Sequence, residues 1–232
     1  TNSYSEEKAY FGGGCFWCME ETFEKVNGVI EVISGYSGGT TSNPTYKEVT
    51  YGNSGHFEVV EIIYDKSLIN FEQLLKIFWK NIDPFDFQGQ FCDKGYSYRS
   101  VVFYKNNIQK KQIIDDIKNI EKDFNKKVVT YVRKFDEFYK AEENHQNYYQ
   151  EYFINYLLYK KGCGREKKLI EKDIKDLQNK FNKKVVTYIR NFEKFYKAEE
   201  YHQDFYKIKL ERYLRYKKAC GREELLKRIW SQ

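Results

Sequence analysis

The chain has 232 residues, of which 41% are hydrophobic and 19% aromatic, so it can bury a core and is not intrinsically disordered. Its 40 basic and 34 acidic residues are interleaved, and the net charge of +6 indicates a solvated surface rather than one that binds nucleic acid. No apolar stretch reaches the roughly 18 residues that a membrane-spanning helix needs, so no membrane span is expected.

Hydrophobic periodicity predicts the elements of the first hundred residues. The predicted elements are a strand at 8–11, a helix at 15–26, a strand at 29–34, a strand at 57–64, a helix at 71–80 and a strand at 99–104. A glycine-rich loop precedes the strand at 57–64. This order predicts an α+β fold of the ferredoxin-like plait type, a mixed sheet with helices packed on it. A further helix at 108–124 and a strand at 128–132 follow.

A tandem duplication occupies the rest of the chain. NKKVVTYVRKFDEFYKAEENHQNYYQ begins at Asn125 and NKKVVTYIRNFEKFYKAEEYHQDFYK begins at Asn182, an offset of 182 − 125 = 57 residues. Each copy is predicted as a helix-strand-helix segment that ends in CGRE. Two copies are too few for a solenoid. We therefore predict a main domain of residues 1–169 that includes the first copy, and an appended second copy at 170–232.

The duplication leaves two alternatives open. The second copy could take the place of the first on the main domain, or it could pair with a neighbouring molecule by swapping. His145 and His202 occupy the same place in the two copies, in AEENHQ and AEEYHQ. A single active site has no need of two such histidines, so we interpret both as structural.

The five cysteines indicate redox chemistry or plain burial, because an odd number in a chain of this length is not typical of a disulfide scaffold. The three histidines lie far apart and CFWC has no second cysteine pair, so no metal site is predicted. The sequence begins with Thr1 rather than methionine. The compartment is therefore left open between the cytoplasm and, if a signal segment was removed, the periplasm or another extracytoplasmic site.

The stretch GGGCFWC places Cys15 at the start of a predicted helix. Unpaired N–H groups and the helix dipole favour a thiolate there, so we expect a lowered pKa for Cys15. Phe16 and Trp17 follow directly, and adjacent helical residues cannot both face the core. One interpretation is an apolar pocket beside a nucleophilic thiol. The other is that Trp17 packs in the core and that Cys15 and Cys18 are inert buried thiols.

Four blocks of the sequence resemble the A-type peptide methionine sulfoxide reductases and follow the order of that family. They are GCFWCMEETFEKVNGVIEVISGYSGG, NPTYKEVTYGNSGHFEVVEIIYD, DP followed by QFCDKGYSYRS, and FYKAEEYHQDFY, and they extend over nearly the whole chain. The resemblance implies an enzyme that reduces methionine S-sulfoxide, free or in oxidised proteins. Cys15 would attack the sulfoxide sulfur, release methionine and become a sulfenic acid.

The resemblance also implies roles for other residues. Phe16 and Trp17 would hold the methyl group of the substrate. Glu58, in the GHFE motif, would donate a proton to the sulfoxide oxygen, and partial burial would raise its pKa. Without the resemblance, Glu58 is equally well an exposed strand residue.

Three further side chains match the substrate-binding residues of the family. Tyr36 in GYSGG and Tyr98 in SYRS correspond to tyrosines that hydrogen-bond the sulfoxide oxygen, and Asp93 in FCDKG corresponds to an aspartate that organises the pocket. This chain has Phe91 and Cys92 where the family often has glycine and asparagine, so Asp93 stands in a different local context.

A sulfenic acid condenses with a second thiol to a disulfide, which thioredoxin or another dithiol then reduces without a bound cofactor. Cys18, three residues from Cys15, and the tail cysteines Cys163 and Cys220 are the candidates for the resolving thiol. Cys92 ranks behind them as a packing residue.

Two other functions remain possible from the residues. The C-x-x-C spacing of Cys15 and Cys18 permits a thioredoxin-like disulfide oxidoreductase. That function would leave Glu58 without a role, and neither Pro44 nor Pro84 stands where such a protein has its cis-proline. The third possibility is a non-enzymatic interaction protein that binds through the repeated tail.

Overall fold

The computed structural model describes residues 5–187, 189–190, 197–221, 224 and 226–227. The chain divides into two compact units, Thr1–Thr187 and Tyr188–Gln232. In the described part of the chain, no helix has both the length and the apolar composition that crossing a membrane requires.

The first unit is built on a six-stranded mixed sheet with the strand order β7-β6-β1-β3-β2-β8. Neighbouring strands are antiparallel except for β6 and β7, which are parallel. Strands β4 and β5 form a separate hairpin. The strands are β1 (Glu6–Gly12), β2 (Val29–Ser37), β3 (Phe57–Asp65), β4 (Gly89–Gln90), β5 (Asp93–Lys94), β6 (Val101–Tyr104), β7 (Tyr131–Lys134) and β8 (Phe138–Lys140).

Helices pack on this sheet, as the predicted α+β class requires. Those of the first unit are α1 (Phe16–Glu24), α2 (Tyr46–Tyr51), α3 (Phe71–Lys80), α4 (Asn107–Phe124), α5 (Tyr148–Glu151), α6 (Phe153–Cys163) and α7 (Arg165–Phe181). The sequence of α3 explains why this segment is a helix. Asn70 and Gln73 make a reciprocal capping box at its start, and its apolar face, which includes Leu74 and Phe78, is buried in the core beside Phe11.

The first repeat copy is part of this unit. Its strand β8 pairs with the edge of β2, and Gln146 fixes the following turn to the same strand. The Gln146 side chain accepts a hydrogen bond from Ser34 N at 3.0 Å and donates one to Ser34 O at 2.9 Å. Helix α7 also belongs to the unit, because Lys172 Nζ donates to the carbonyl oxygens of Trp79 and Ile82 at 2.8 and 3.1 Å.

The second unit repeats local structure of the first. A 3₁₀ turn at Glu200–His202 leads into α8 (Phe205–Ile208) and α9 (Leu210–Cys220). The first unit has the same succession, with a 3₁₀ turn at Glu143–His145 followed by α5 and α6, and each element has the same length as its counterpart 57 residues later.

Candidate active site

Cys15 lies where β1 turns into α1. Gly14 has a φ of +84°, and a Cβ there would lie 2.6 Å from the Cβ of Gln90, so the turn needs glycine. The Cys15 carbonyl oxygen accepts hydrogen bonds from Cys18 N and Met19 N at 3.2 and 3.4 Å. Cys15 is therefore the N-cap residue of α1, at the helix start that the sequence predicts.

The Cys15 thiol faces a cavity of about 200 Å³. Six of the predicted site residues line it, together with two tyrosines that the sequence analysis missed. The lining residues are Cys15, Phe16, Trp17, Tyr46, Glu58, Asp93, Tyr98 and Tyr159. The structure thus brings together one thiol, two carboxyl groups and three tyrosine hydroxyls beside two large apolar rings.

Tyr36 is the one predicted substrate-binding residue that does not line this cavity. It is completely buried, with its ring centroid 6.0 Å from that of Phe16. Its hydroxyl donates to Glu142 Oε2 at 2.8 Å, and Glu142 Oε1 accepts from Tyr46 N at 2.8 Å. Tyr36 therefore lies behind Phe16 and is linked through Glu142 to the start of α2, which carries Tyr46 into the cavity wall.

Glu58 lies on β3 and is only 1% exposed. Its Oε2 accepts a hydrogen bond from Phe16 N at 3.0 Å. Burial raises the pKa of Glu58 to about 8; the Phe16 N–H opposes this rise and the charge of Asp93 adds to it. The carboxyl group is therefore largely protonated at neutral pH. The raised pKa has the direction that the sequence analysis predicts.

The thiols of Cys15 and Cys18 are 5% and 3% exposed and hydrogen-bond each other. Burial, followed by the Cys18 thiol and the charges of Glu58 and Asp93, raises the pKa of Cys15. The expectation of a lowered pKa at this position was therefore wrong, because desolvation of the thiolate outweighs the helix N-terminus. The pKa of Cys18 is lowered, first by its hydrogen bond with Cys15, so the two hydrogen-bonded thiols share the first negative charge of the pair.

Arg165, at the end of the first repeat copy, stabilises the negative charge of the Cys15–Cys18 pair. It is buried, and its guanidinium donates to Gly13 O at 3.1 Å and to Asn81 O at 2.6 Å. Its positive charge further lowers the pKa of Cys18, as does the hydroxyl of Tyr156. The sequence analysis missed Arg165, although its place in CGRE next to Cys163 was a possible signal.

The remaining polar groups of the cavity form two hydrogen-bonded pairs. Tyr159 Oη donates to Asp93 Oδ2 at 2.5 Å, and the hydroxyls of Tyr46 and Tyr98 are 3.4 Å apart. Burial raises the pKa of Asp93, against the opposing effect of the Tyr159 hydroxyl. Tyr46 and Tyr159 could not be selected among 22 tyrosines, although NPTY stands within one of the family-like blocks.

The rings beside the thiol stack on the first repeat copy. Trp17 stacks on Tyr148 with the ring centroids 3.8 Å apart, and the buried His145 lies 4.4 Å from the ring of Tyr46 and 5.3 Å from that of Phe16. Burial lowers the pKa of His145. His145 is therefore neutral at neutral pH. It lies behind the wall of the cavity and packs against the rings of Phe16 and Tyr46, which form part of that wall.

The family model described as peptide methionine sulfoxide reductase matches residues 7–174 and, in a second match, residues 158–232. The chain belongs to the peptide methionine sulfoxide reductase family. The peptide methionine sulfoxide reductase MsrA of Listeria innocua is 46% identical to it over 164 residues, which cover 69% of this chain and 92% of that relative.

Solved structures of methionine sulfoxide reductases are similar to the structure of this chain. Methionine sulfoxide reductase A of Corynebacterium diphtheriae is similar with a TM-score of 0.59 and 27% identity, covering 65% of this chain and 76% of that one. Mxr1 from Saccharomyces cerevisiae in reduced form is similar with a TM-score of 0.60 and 26% identity, covering 65% of this chain and 87% of that one. The α+β fold, with its mixed sheet and packed helices, is therefore that of the family.

The candidate resolving cysteines of this reductase lie in different surroundings. Cys163 forms a disulfide with Cys92, and the two are 71 residues apart in sequence. Cys18 is a buried free thiol beside Cys15, and Cys220 is an exposed free thiol of the second unit. The disulfide is a feature that sequence reasoning missed, because Cys92 was interpreted as a packing residue and no spacing rule links it to Cys163.

Proposed function

We propose that this chain is a peptide-methionine (S)-S-oxide reductase, which converts methionine S-sulfoxide, free or in oxidised proteins, to methionine and so repairs oxidative damage. The observation that carries the proposal is that one cavity contains both the Cys15 thiol and the Glu58 carboxyl group, whose pKa is about 8. A thiol that attacks a sulfoxide needs an acid that gives a proton to the departing oxygen, and a protonated Glu58 supplies it.

The apolar side of the cavity binds the substrate. Phe16 and Trp17 form the wall next to Cys15 and hold the methyl group of the sulfoxide. The hydroxyl of Tyr98, which hydrogen-bonds Glu58, binds the sulfoxide oxygen. Tyr36 is the second proposed oxygen-binding tyrosine, and its hydroxyl would have to leave Glu142 to serve in this way. Asp93 organises the pocket through its hydrogen bond with Tyr159.

The reaction starts from the Cys15–Cys18 pair. The thiolate of Cys18 takes the proton of Cys15 as the Cys15 sulfur bonds to the sulfoxide sulfur, and Glu58 protonates the sulfoxide oxygen. The protonated oxygen then passes from the substrate sulfur to the Cys15 sulfur, so the sulfur–oxygen bond of the substrate and the new sulfur–sulfur bond both break. Methionine leaves, and Cys15 becomes a sulfenic acid. One thiol and one sulfoxide thus give one sulfenic acid and one sulfide, which balances atoms and electrons.

Regeneration requires two more thiol reactions. The Cys18 thiol attacks the sulfenic sulfur, water leaves, and a Cys15–Cys18 disulfide forms. Cys18 takes this role before Cys163 or Cys220 because it already hydrogen-bonds Cys15. Thioredoxin or another dithiol supplies the two electrons that return the enzyme to its thiol form, and no bound cofactor takes part.

The finer architecture is also a proposal. Strands β6, β1, β3 and β2, with α1 and α3, form a ferredoxin-like plait, supported by the strand order and the antiparallel pairing. Residues 1–169 are the catalytic domain with the first copy, and 170–232 are a duplicate of the helix-strand-helix segment. The first helix of the duplicate, α7, packs on the first unit, which extends to Thr187. The second family match at 158–232 supports this duplication.

An assay of NADPH oxidation coupled to thioredoxin reductase, thioredoxin and a methionine S-sulfoxide tests the proposal. We expect turnover by the wild type and none by Cys15→Ser. Reduction of insulin disulfides without turnover of the sulfoxide would replace the proposal with a C-x-x-C disulfide oxidoreductase. Absence of both activities in folded protein would favour a binding protein.

A further inference from the structure

Helix α6 carries a group of large apolar side chains on its solvent side. They belong to the N-cap residue and the first two turns, are between 42% and 66% exposed, and comprise Tyr152, Phe153, Ile154, Leu157 and Leu158. Phe153 and Leu157, like Ile154 and Leu158, are four residues apart, so their side chains are neighbours on the helix. Single exposed apolar residues need no explanation, but a contiguous group is typical of a binding site. This group is called the α6 surface.

The second repeat copy shows that the helix itself does not need these apolar residues. Helix α9 has the same length as α6. Exposed charged side chains occupy three of the five positions there, namely Lys209, Glu211 and Arg215, which stand 57 residues after Tyr152, Ile154 and Leu158. By contrast, α9 keeps tyrosines at the positions of Tyr156 and Tyr159, which α6 packs toward Cys15 and Cys18. The copy that forms the active site therefore has an apolar outer side for a reason other than helix formation.

Stacked rings connect the α6 surface to the active-site cavity. Trp17 lines the cavity and stacks on Tyr148 with the ring centroids 3.8 Å apart. Tyr148 in turn stacks on Tyr152 with the centroids 4.8 Å apart. Because Tyr152 is itself part of the α6 surface, an unbroken series of apolar side chains leads from the cavity wall to the first two turns of α6.

The size of the cavity leaves most of a peptide substrate outside it. Its volume of about 200 Å³ is below the roughly 300–1,000 Å³ of pockets that enclose a whole small ligand, so it accepts a side chain rather than a peptide. An extended chain covers the two ring-to-ring steps with about three residues. The step from Tyr152 to Leu158 adds about 9 Å along α6. Residues about three to six positions from the residue in the cavity therefore reach the α6 surface.

We propose that the α6 surface binds apolar side chains of an unfolded polypeptide substrate, about three to six residues from its methionine sulfoxide. This inference rests on the proposed function, because the sulfoxide must occupy the cavity for the rest of the peptide to reach α6. Segments that a folded protein buries carry apolar residues at short, regular intervals. The α6 surface therefore selects oxidised methionines in segments that have lost their fold.

Steady-state kinetics with two synthetic peptides and dithiothreitol as reductant tests the proposal. Each peptide has one methionine S-sulfoxide, with leucines three to six residues away on both sides in one peptide and serines there in the other. We expect the wild type to show a kcat/KM about tenfold higher for the leucine peptide, because one or two apolar side chains leave water on binding. Ile154→Glu/Leu158→Arg introduces the residue types that α9 has at these positions and should reduce the ratio to about twofold or less.

Two controls accompany the variant. Ile108, on α4, is 73% exposed, so Ile108→Glu makes a similar change elsewhere and should keep the ratio of the wild type. Free methionine sulfoxide has no flanking residues that could reach α6. All three proteins should therefore reduce it at the same rate, which also shows that the variants are folded.

The outcomes separate the inference from the function beneath it. Equal kcat/KM of the wild type for the two peptides would overturn the inference while the reductase function stands, and so would an unchanged leucine preference in Ile154→Glu/Leu158→Arg. Absence of turnover of free methionine sulfoxide by folded wild type would refute the function, and the inference with it.

The same double variant identifies other occupants of the α6 surface. If it slows the turnover of free methionine sulfoxide with thioredoxin but not with dithiothreitol, the surface binds the reductant. If gel filtration shows a wild-type dimer that the double variant dissociates, the surface binds a second copy of the chain. Either result would assign the surface to that partner and overturn the proposal.

Discussion

The backbone N–H of Phe16 donates a hydrogen bond to Glu58 Oε2 at 3.0 Å, which joins the first turn of α1 to the middle of the sheet. Because Cys15 directly precedes Phe16, this bond holds the Glu58 carboxyl group next to the residue that carries the thiol, and both residues line one cavity. A buried carboxyl held against a thiol in this way is the physical basis of the proposed proton transfer.

Replacing Glu58 with glutamine should lower kcat by about 10²- to 10⁴-fold, the usual contribution of a general acid, with a smaller effect on KM. Glutamine retains the shape and can accept the Phe16 N–H, but it has no proton to give. Steady-state kinetics with the coupled assay measures the loss. Glu61→Gln is the matched control, since Glu61 lies on the same strand but bonds to Lys8 and Tyr10. Comparable losses in both variants would contradict the assignment.

The pH dependence of the reaction should follow Glu58. The acid acts in its protonated form, so kcat should fall as pH rises through about 8, the pKa of the buried carboxyl. A pH–rate profile of the methionine-releasing step under single-turnover conditions measures this fall. A rate that stays level between pH 7 and pH 9 would exclude Glu58 as the proton donor.

The same carboxyl should make the fold sensitive to alkali. The pKa of Glu58 is about 8 in the folded chain and 4.5 for the ordinary group. The contribution of Glu58 to the free energy of unfolding is therefore fully favourable below pH 4.5 and is lost as the pH rises through about 8. Glu58→Gln should therefore unfold at a higher urea concentration than the wild type at pH 9, and the difference should shrink toward pH 6. Urea titrations at both pH values test this, and an opposite order at pH 9 would contradict it.

Removing the charge of Arg165 should make the Cys15–Cys18 pair harder to ionise. In Arg165→Met the apparent thiol pKa, followed by thiolate absorbance or alkylation rate, should move upward, because the cation that lowers the pKa of Cys18 is gone. Arg165→Lys keeps a charge and should show a smaller rise. Both variants lose hydrogen bonds to Gly13 O and Asn81 O, so comparing them isolates the charge. An unchanged thiol titration in Arg165→Met would refute the effect.

Shortening the chain should separate the two repeat copies. A chain that ends after Thr187 keeps the whole first unit and should be folded and active. A chain that ends after Ile170 should keep activity but melt at a lower temperature, because it loses most of α7 and the hydrogen bonds of Lys172 to Trp79 O and Ile82 O. Thermal melts and the coupled assay compare them. An insoluble chain ending at Thr187 would show that residues 188–232 are integral to the fold.

Much of the site follows from local sequence. The triple glycine and the apolar spacing after Cys15 predict a helix that starts at the thiol, and the structure has that helix with Cys15 as its N-cap residue. The family-like blocks lead to Glu58, Asp93 and Tyr98 in the cavity wall. The helix start and the strands are predictable because both depend on neighbours within a few residues.

The sequence by itself determined the α+β class, the position of the thiol and the residue types that surround it. Only the tertiary structure decided which distant groups meet them. Docking of the first repeat copy brings Tyr159 to the cavity, Arg165 to the Cys18 thiol and Cys163 to Cys92. It also decided the ionisation of Cys15. The helix start that favours a thiolate is readable from residues 12–18, whereas the desolvation that outweighs it comes from side chains far away in the sequence.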